Sequence, residues 1–221
     1  MNALCVFTRV PHPGRGKTRL RAAIDGSAVD ELIRALVADT LGWQVPGVDV
    51  LVVAHDGDGG ALRGMAPGNC ALIPQCNADF GTRLTSAVDA PFAHGAGRVV
   101  IVGSDCPTLP EALLMRAFQG LTDHAATLIP ARDGGWIALG VRAPLGEALR
   151  GVRWSADTTQ ADTVAALKRD GRLPLILPPW YDVDEPADLA RLAEELKSPA
   201  ASERAPHTAA SMHLWQQFAA P

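Results

Sequence analysis

Residues 99–107 read Val-Val-Ile-Val-Gly-Ser-Asp-Cys-Pro, and this stretch decides the fold class. Four β-branched residues bounded by Gly103 predict a strand that is buried on both faces, as in a parallel sheet. Pro107 prevents the strand from continuing, so Asp105 is placed at its carboxyl end. Ligands of open α/β sheets bind at this edge. A carboxylate there is costly unless it is solvated, paired or bound to a metal. Asp105 is therefore a candidate site residue, and the alternative is that it only caps a turn.

Further apolar runs alternate with helical patterns and predict an α/β fold. The predicted strands span residues 3–8, 49–54, 70–74, 126–130, 136–140 and 173–177. The predicted helices span residues 27–41, 82–94 and about 110–120, with two more ending near 170 and 196.

The composition limits the class of protein. The chain has 221 residues, of which 48% are hydrophobic, and this suits one domain with a sizeable core. A net charge of −4 argues against a nucleic-acid partner. No apolar run approaches the roughly 18 residues of a membrane span, and no secretory signal is visible, so we expect a cytoplasmic protein without a membrane partner. The four cysteines form no C-x-x-C pair, which favours free thiols.

A basic, glycine-containing loop over Pro11–Leu20 follows the first predicted strand. Such a loop can bring backbone N–H groups close to an anion while nearby cations complete the charge. Gly16-Lys17-Thr18 resembles the end of a P-loop, but Pro11 stands where its first glycine would be. The loop therefore predicts phosphate binding of another kind, with a solvated basic loop as the alternative. Its candidate binding residues are Arg9, Gly14, Gly16, Lys17 and Arg19.

Other charged residues flank predicted elements. Asp133 opens a Gly-Gly turn between two strands, so a hairpin connection is the alternative to a role in the site. Asp182 and Asp184 follow the last strand. Capping of the last helix explains one acid there but not both, and a hard cation suits the pair; both interpretations remain open. Arg83 lies in the first turn of a helix, where a cation opposes the helix dipole, which predicts contact with a phosphate or a carboxylate.

Residues 198–221 are rich in Ser, Pro, Ala and His and lack a periodic core pattern. They predict a mobile C-terminal tail that follows a single domain over residues 1–197.

Five motifs, taken in order, carry a resemblance to a known family. They are P-x-P-G-x-x-K-T-R-L, G-S-D-C-P, P-A-x-D-G-G-[YW], W-S and Y-D-V-D-x-P-x-D-L. The set resembles the bacterial radical-SAM/selenodomain-associated transferases. That group is similar to the glycosyltransferase-A fold of nucleotide-diphospho-sugar transferases and to guanylyltransferases of molybdopterin and phospholactate cofactors. The resemblance covers residues 1 to about 197 and implies a three-layer α/β sandwich with a mostly parallel mixed sheet.

The resemblance also implies an activity and its residues. It implies a metal-dependent transferase that uses a nucleotide or nucleotide-sugar and a small-molecule acceptor. Mg²⁺ or Mn²⁺ would bind Asp105, with Asp182 or Asp184 as a second carboxylate. The basic loop and Arg83 would hold the nucleotide, and Lys17 and Asp133 would be catalytic. The implied acceptor-binding residues are Gly134, Gly135, Trp136, Trp154 and Ser155.

The sequence leaves the reaction open. Glycosyl transfer would use Asp133 as the base for an acceptor hydroxyl. Nucleotidyl transfer, with release of pyrophosphate, would need no base. A non-catalytic nucleotide-binding protein is the third interpretation. Relatives have Gly, Glu and Tyr where this chain has Cys76, Thr82 and Trp136, so recognition of the base and of the acceptor is expected to differ.

Overall fold

The computed structural model describes residues 1–68 and 70–218, which are built around a seven-stranded sheet. The strands are β1 (Asn2–Thr8), β2 (Val50–His55), β3 (Ala71–Pro74), β4 (Arg98–Gly103), β5 (Ala126–Pro130), β6 (Trp136–Val141) and β7 (Pro174–Ile176). Their order across the sheet is β3-β2-β1-β4-β6-β5-β7. The strand predicted over 99–102 is β4, and it lies at the centre of the sheet.

Most neighbouring strands of the sheet are parallel. β1 pairs in parallel with β2 and β4, β2 with β3, and β5 with β7. β6 alone is antiparallel to both of its neighbours, β4 and β5. The other six strands consequently end at the same edge of the sheet, and the predicted mostly parallel mixed sheet is confirmed.

Helices cover both faces of the sheet. They are α1 (Thr18–Arg21), α2 (Gly26–Gly42), α3 (Phe80–Ala93), α4 (Glu111–Gly120), α5 (Thr159–Arg169), α6 (Pro186–Glu195), α7 (Pro199–Arg204) and α8 (Pro206–Trp215). Alternate residues of β4 face opposite layers: Val100 and Val102 pack with α2 and α4, whereas Val99 and Ile101 pack with α3 and α5. This arrangement confirms the three-layer sandwich and explains why β4 is apolar on both faces.

The C-terminal segment differs from the predicted mobile tail. Its described part forms α7 and α8, and α8 packs on α2 with the Trp215 side chain fully buried. The buried carboxylate of Asp39 accepts hydrogen bonds from the N–H groups of His207 and Thr208, each at 2.8 Å. These bonds satisfy the free donors at the start of α8. The sequence carries no signal for this contact, because a helix with one buried tryptophan shows no periodic apolar stripe. Residues 219–221 lie outside the described part.

All four cysteines are free, as predicted. Within residues 1–68 and 70–218, no helix is long and apolar enough to cross a membrane.

Candidate active site

The loop that follows β1 is held in shape by two side chains from α1 and α2. Asp30 accepts a hydrogen bond from the Gly14 N–H at 3.0 Å and pairs with Arg21. Arg21 also donates to the carbonyl oxygens of Gly16 at 2.8 Å and Arg15 at 2.9 Å. The positive φ angles of Gly14 (78°) and Gly16 (76°) are the reason glycine is needed at both positions. The Gly14 N–H is therefore engaged by the protein itself.

Lys17 ends this loop in a conformation that is rare for a side-chain-bearing residue. Its φ and ψ are 49° and 47°, in the left-handed region. Its side chain is only 7% exposed, and Nζ lies 3.0 Å from Asp105 Oδ2 and 3.5 Å from Asp184 Oδ1. Burial by itself lowers the pKa of Lys17, but the two carboxylates outweigh this effect and the net pKa is raised. The ammonium group therefore stays charged at the sheet edge.

Asp184 is surrounded by cations. Besides Lys17, it pairs with Arg19 at 3.0 Å, and Arg19 also pairs with Glu185 at 3.0 Å. The Arg19 side chain is 65% exposed, so these pairs are solvated and weak. The sequence predicts Asp184 as a metal ligand and Arg19 as a nucleotide-binding residue. In the structure the two side chains pair with each other, and this pair links the basic loop to the start of α6.

Asp105 and Asp182 are brought together by a backbone hydrogen bond. The Val183 N–H donates to the Asp105 carbonyl oxygen at 2.8 Å. Desolvation raises the pKa of Asp182 to about 6, with a further rise from the charges of Asp133 and Asp105 and an opposing effect of Lys17. The carboxylates of Asp105, Asp133 and Asp182 follow β4, β5 and β7, and the first two lie close enough to raise the pKa of the third.

The chemistry of these carboxylates fits a hard divalent cation. Carboxylate oxygens are preferred ligands of Mg²⁺, which commonly takes one or two of them and completes its shell with phosphate oxygens and water. Among residues 1–68 and 70–218, no three acidic, histidine or cysteine side chains are grouped so that they could hold a metal by themselves. Asp105 and Asp182 match a site that uses one or two carboxylates. Within the described chain Asp105 is paired with Lys17 alone, whereas Asp184 is paired with both Lys17 and Arg19.

Arg83 lies beside the ends of β1 and β2. It donates to Gln75 Oε1 at 3.1 Å, and Gln75 in turn donates to the carbonyl oxygens of Thr8 at 3.0 Å and Ala54 at 3.1 Å. The Arg83 Nε is buried and has no hydrogen-bond partner within the described chain. A buried donor of this kind normally has an acceptor, so Arg83 can bind an oxygen of a ligand.

The ends of β1 and β4 are joined by side-chain hydroxyls. Thr8 Oγ1 and Ser104 Oγ lie 2.8 Å apart and are both buried. Arg9, the next residue after β1, is exposed. The predicted cation Arg9 is therefore at the surface of this edge, whereas Lys17 lies inside it.

The turn between β5 and β6 packs against the start of α5. Asp133 is exposed, and its Oδ1 accepts the Gly135 N–H at 2.9 Å. A Cβ on Gly134 would lie 2.0 Å from the Asp157 carbonyl oxygen, and the Gly134 carbonyl accepts the Gln160 N–H at 2.8 Å. The expected hairpin connection is therefore present, it lies at the sheet edge, and the site role of Asp133 stays a prediction.

The predicted acceptor side is aromatic. The Trp154 ring lies 5.1 Å from Phe80 and 6.4 Å from Trp136, measured between ring centroids. The Trp136 indole N–H donates to Thr163 Oγ1 at 3.2 Å, so it fastens α5 to the sheet. Ser155 follows Trp154 with a φ of 58°, the other left-handed residue besides Lys17 that is not glycine within the described chain. Backbone strain at both residues is typical of functional sites.

Several residues that build the site escaped the sequence argument. Asp30 lies inside α2, whose N-cap is the Asp25 carboxylate. Thr108 precedes α4, and its hydroxyl donates to Glu195 at 2.8 Å. Gln75 is not among the site residues that the sequence predicts. The contacts of Asp30 and Thr108 follow from the tertiary structure, and their local sequence points elsewhere.

This arrangement is the α/β fold of the nucleotide-diphospho-sugar transferases and cytidylyltransferases. The chain belongs to the DUF2064 family, described as an uncharacterized protein conserved in bacteria, whose sequence pattern matches residues 38–156. The narrower resemblance to radical-SAM/selenodomain-associated transferases stays a prediction. No curated protein matches the chain significantly.

Three solved structures illustrate the likeness. A candidate nucleotide-diphospho-sugar transferase from Desulfovibrio desulfuricans G20 is 29% identical, with a TM-score of 0.87 over 98% of this chain and 97% of that one. CMP-2-keto-3-deoxy-manno-octonic acid synthetase complexed with CTP is 15% identical, with a TM-score of 0.57 over 89% and 99%. The 4-diphosphocytidyl-2C-methyl-D-erythritol synthase from Anaerococcus prevotii DSM 20548 is 12% identical, with a TM-score of 0.58 over 88% and 96%.

Proposed function

We propose that this protein is a metal-dependent transferase that uses an activated nucleotide, and that it transfers a glycosyl group from a nucleotide-sugar to a small acceptor. The observation that carries the proposal is the Lys17 ammonium, which is 93% buried and lies 3.0 Å from Asp105 at the carboxyl edge of the sheet. Lysine binds phosphate oxygens as a compact point charge, and a glycine-containing loop is a common frame for such a contact.

The nucleotide side of the proposed site is built from Lys17 and Arg83. Lys17 is positioned to contact the diphosphate and to stabilise the charge that develops on it. Arg83, which lies beside the ends of β1 and β2 through its contact with Gln75, would donate from its guanidinium to a nucleotide oxygen. The fold shared with a synthetase complexed with CTP, and the 29% identity to the Desulfovibrio protein, support a nucleotide as the ligand.

Asp105 and Asp182 would hold Mg²⁺ or Mn²⁺. Such a cation, when bound, neutralises the negative charge of a leaving diphosphate. The pKa of Asp182 is raised first by desolvation and then by the charges of Asp133 and Asp105, and a bound cation would offset both effects.

Asp133 is the proposed general base. Its carboxylate is exposed, and within the described chain only Oδ1 is engaged, which leaves Oδ2 free to take a proton. In the transfer, the acceptor hydroxyl oxygen bonds to the anomeric carbon and its proton passes to Asp133. The bond from that carbon to the diphosphate oxygen breaks, and the nucleoside diphosphate leaves with the electron pair. The aromatic side chains of Phe80 and Trp154 pack near Trp136, three residues after Asp133, and suit the apolar face of a sugar-like acceptor.

Ligand binding tests the first part of the proposal. Nucleoside triphosphates, diphosphates and nucleotide-sugars are screened by thermal shift with and without Mg²⁺ or Mn²⁺. A ligand at 100 times its dissociation constant stabilises the protein by about 2.7 kcal/mol, which such a screen detects. Asp105→Asn is expected to remove the metal-dependent part of the shift. Asp123→Asn is the matched control, since Asp123 is exposed and precedes β5 at the opposite edge. An unchanged shift in Asp105→Asn contradicts the metal assignment.

Product analysis separates the two reactions. Phosphorus NMR of the reaction with the ligand found in the screen is expected to show a nucleoside diphosphate. Release of pyrophosphate from a triphosphate would instead establish nucleotidyl transfer, the reaction of the cytidylyltransferases that share this fold. If a nucleotide binds but no acceptor in the mixtures is converted to product, the result would favour a non-catalytic nucleotide-binding protein.

A further inference from the structure

A buried hydrogen-bond network lies directly behind the proposed metal-binding carboxylates. Glu195, the last residue of α6, accepts hydrogen bonds on Oε2 from Thr108 Oγ1 and from the Tyr181 hydroxyl, both at 2.8 Å. Its other oxygen, Oε1, lies 3.4 Å from Arg191 Nε. Thr108 and Tyr181 are 5% and 3% exposed, and their hydroxyls lie 3.4 Å from each other, so the Glu195 carboxylate is the nearer acceptor for both.

The two hydroxyls belong to the two segments that carry the proposed metal ligands. Thr108 lies three residues after Asp105, and Tyr181 immediately precedes Asp182. The segments also touch through the hydrogen bond from the Val183 N–H to the Asp105 carbonyl oxygen. Glu195 therefore joins the two segments whose separation sets the distance between Asp105 and Asp182.

The location of Glu195 is unfavourable without such a role. A carboxylate at the C-terminus of a helix opposes the helix dipole. It is also 76% buried and therefore partly desolvated. Arg191 offsets part of this cost, and its guanidinium lies 3.8 Å from the centroid of the Tyr181 ring, which fixes the ring from its face. Both carboxylate oxygens of Glu195 therefore have partners: the two hydroxyls at Oε2 and Arg191 at Oε1.

We infer that Glu195 is a positioning residue, which acts through Thr108 and Tyr181 to hold the Asp105 and Asp182 segments together. The inference rests on the proposed function for its consequence, which is tighter binding of a metal–diphosphate. Its structural content, the coupling of the two segments, does not depend on that function. Residues behind metal ligands commonly change metal affinity when they are replaced.

Amide hydrogen exchange measures the coupling. In Glu195→Leu, the Val183 amide is expected to exchange about tenfold faster or more, because its hydrogen bond to Asp105 opens more often. The Val100 amide in central β4 reports global unfolding in the same sample and is the internal reference. Glu194→Leu is the matched control, because Glu194 is the preceding residue, is 73% exposed and pairs only with Lys197 within the described chain. Glu195→Gln retains one acceptor oxygen for the hydroxyls and is expected to restore most of the protection.

Binding of Mn²⁺ with inorganic pyrophosphate measures the consequence. Glu195→Leu is expected to lower this affinity by about 10- to 100-fold, with Glu195→Gln in between and Glu194→Leu unchanged. If Glu195→Leu does not fold, Thr108→Val and Tyr181→Phe each remove one of the two donors and are read in the same way.

The outcomes are distinguishable. Faster exchange at Val183 that only matches the change at Val100 would overturn the inference, as would an equal effect of Glu194→Leu. Wild-type affinity in Glu195→Leu would overturn its consequence for binding. Absence of Mn²⁺–pyrophosphate binding by the wild-type protein would contradict the proposed function, while the exchange measurement would still decide whether Glu195 couples the segments.

Discussion

The ammonium group of Lys17 lies 3.0 Å from the carboxylate of Asp105. This contact joins the loop after β1 to the end of β4, the two central strands of the sheet. It also places one buried positive charge among the carboxylates of the site. The backbone of Lys17 is in the left-handed region, a locally strained conformation for a residue other than glycine.

Replacement of Lys17 tests its role toward phosphate. Lys17→Ala is expected to weaken pyrophosphate binding by about tenfold or more, since a charge-assisted hydrogen bond is lost. Isothermal calorimetry with pyrophosphate and with a nucleoside measures the two affinities. Arg15→Ala is the control, because Arg15 is exposed in the same loop and its side chain makes no hydrogen bond to the described residues. An equal loss for the nucleoside would remove Lys17 from the phosphate site.

Ionisation of Asp182 is expected to make stability depend on pH. Desolvation raises its folded-state pKa from the ordinary 3.8 to about 6. Between these values the folded state holds the proton that the unfolded state releases, so the free energy of unfolding falls as pH rises. The loss amounts to at most about 3 kcal/mol once the pH exceeds the folded-state pKa.

Urea unfolding of the wild type and Asp182→Asn, from pH 4 to pH 7.5 without divalent cations, measures this effect. The stability of Asp182→Asn relative to the wild type is expected to increase across that range. A difference between the two proteins that does not change with pH would contradict the raised pKa.

The C-terminal helices are expected to be part of the folding unit. Trp215 is fully buried against α2 and α6, and Trp215→Ala is expected to cost about 3–5 kcal/mol. Leu214→Ala is the matched control, since Leu214 is the adjacent residue and is 36% exposed. Thermal and urea unfolding give both values. Similar small losses in the two variants would support the mobile tail that the sequence predicts.

Gly134 is expected to be irreplaceable for a steric reason as well as for its backbone conformation. A Cβ there would lie 2.0 Å from the Asp157 carbonyl oxygen, and its φ is 91°. Gly95 has a φ of 88° with no atom within 4 Å of a Cβ, so Gly95→Ala measures the conformational cost alone. That cost is about 1 kcal/mol. Gly134→Ala is expected to lose clearly more stability than Gly95→Ala in urea unfolding, and equal losses would contradict the close approach.

Local sequence was sufficient for most of the fold. The apolar run before Gly103 predicts a strand buried on both faces, and β4 is at the centre of the sheet with helices on both sides. The start of α6 was also predictable, because Glu185 and Asp188 form a capping box around Pro186. These features depend on side chains a few residues apart, which is the range over which propensity and periodicity act.

Chain order alone establishes which strand ends carry acids and which loop carries cations, because strands, turns and charged residues follow one another in a fixed sequence. Which of these residues meet depends on the packing of the folded chain. Lys17 pairs with Asp105 and Asp184, Thr108 donates to Glu195, and the start of α8 donates to Asp39. These contacts join residues far apart in the chain, and their partners are selected by the packing of the whole sheet and its helices, which no local pattern encodes.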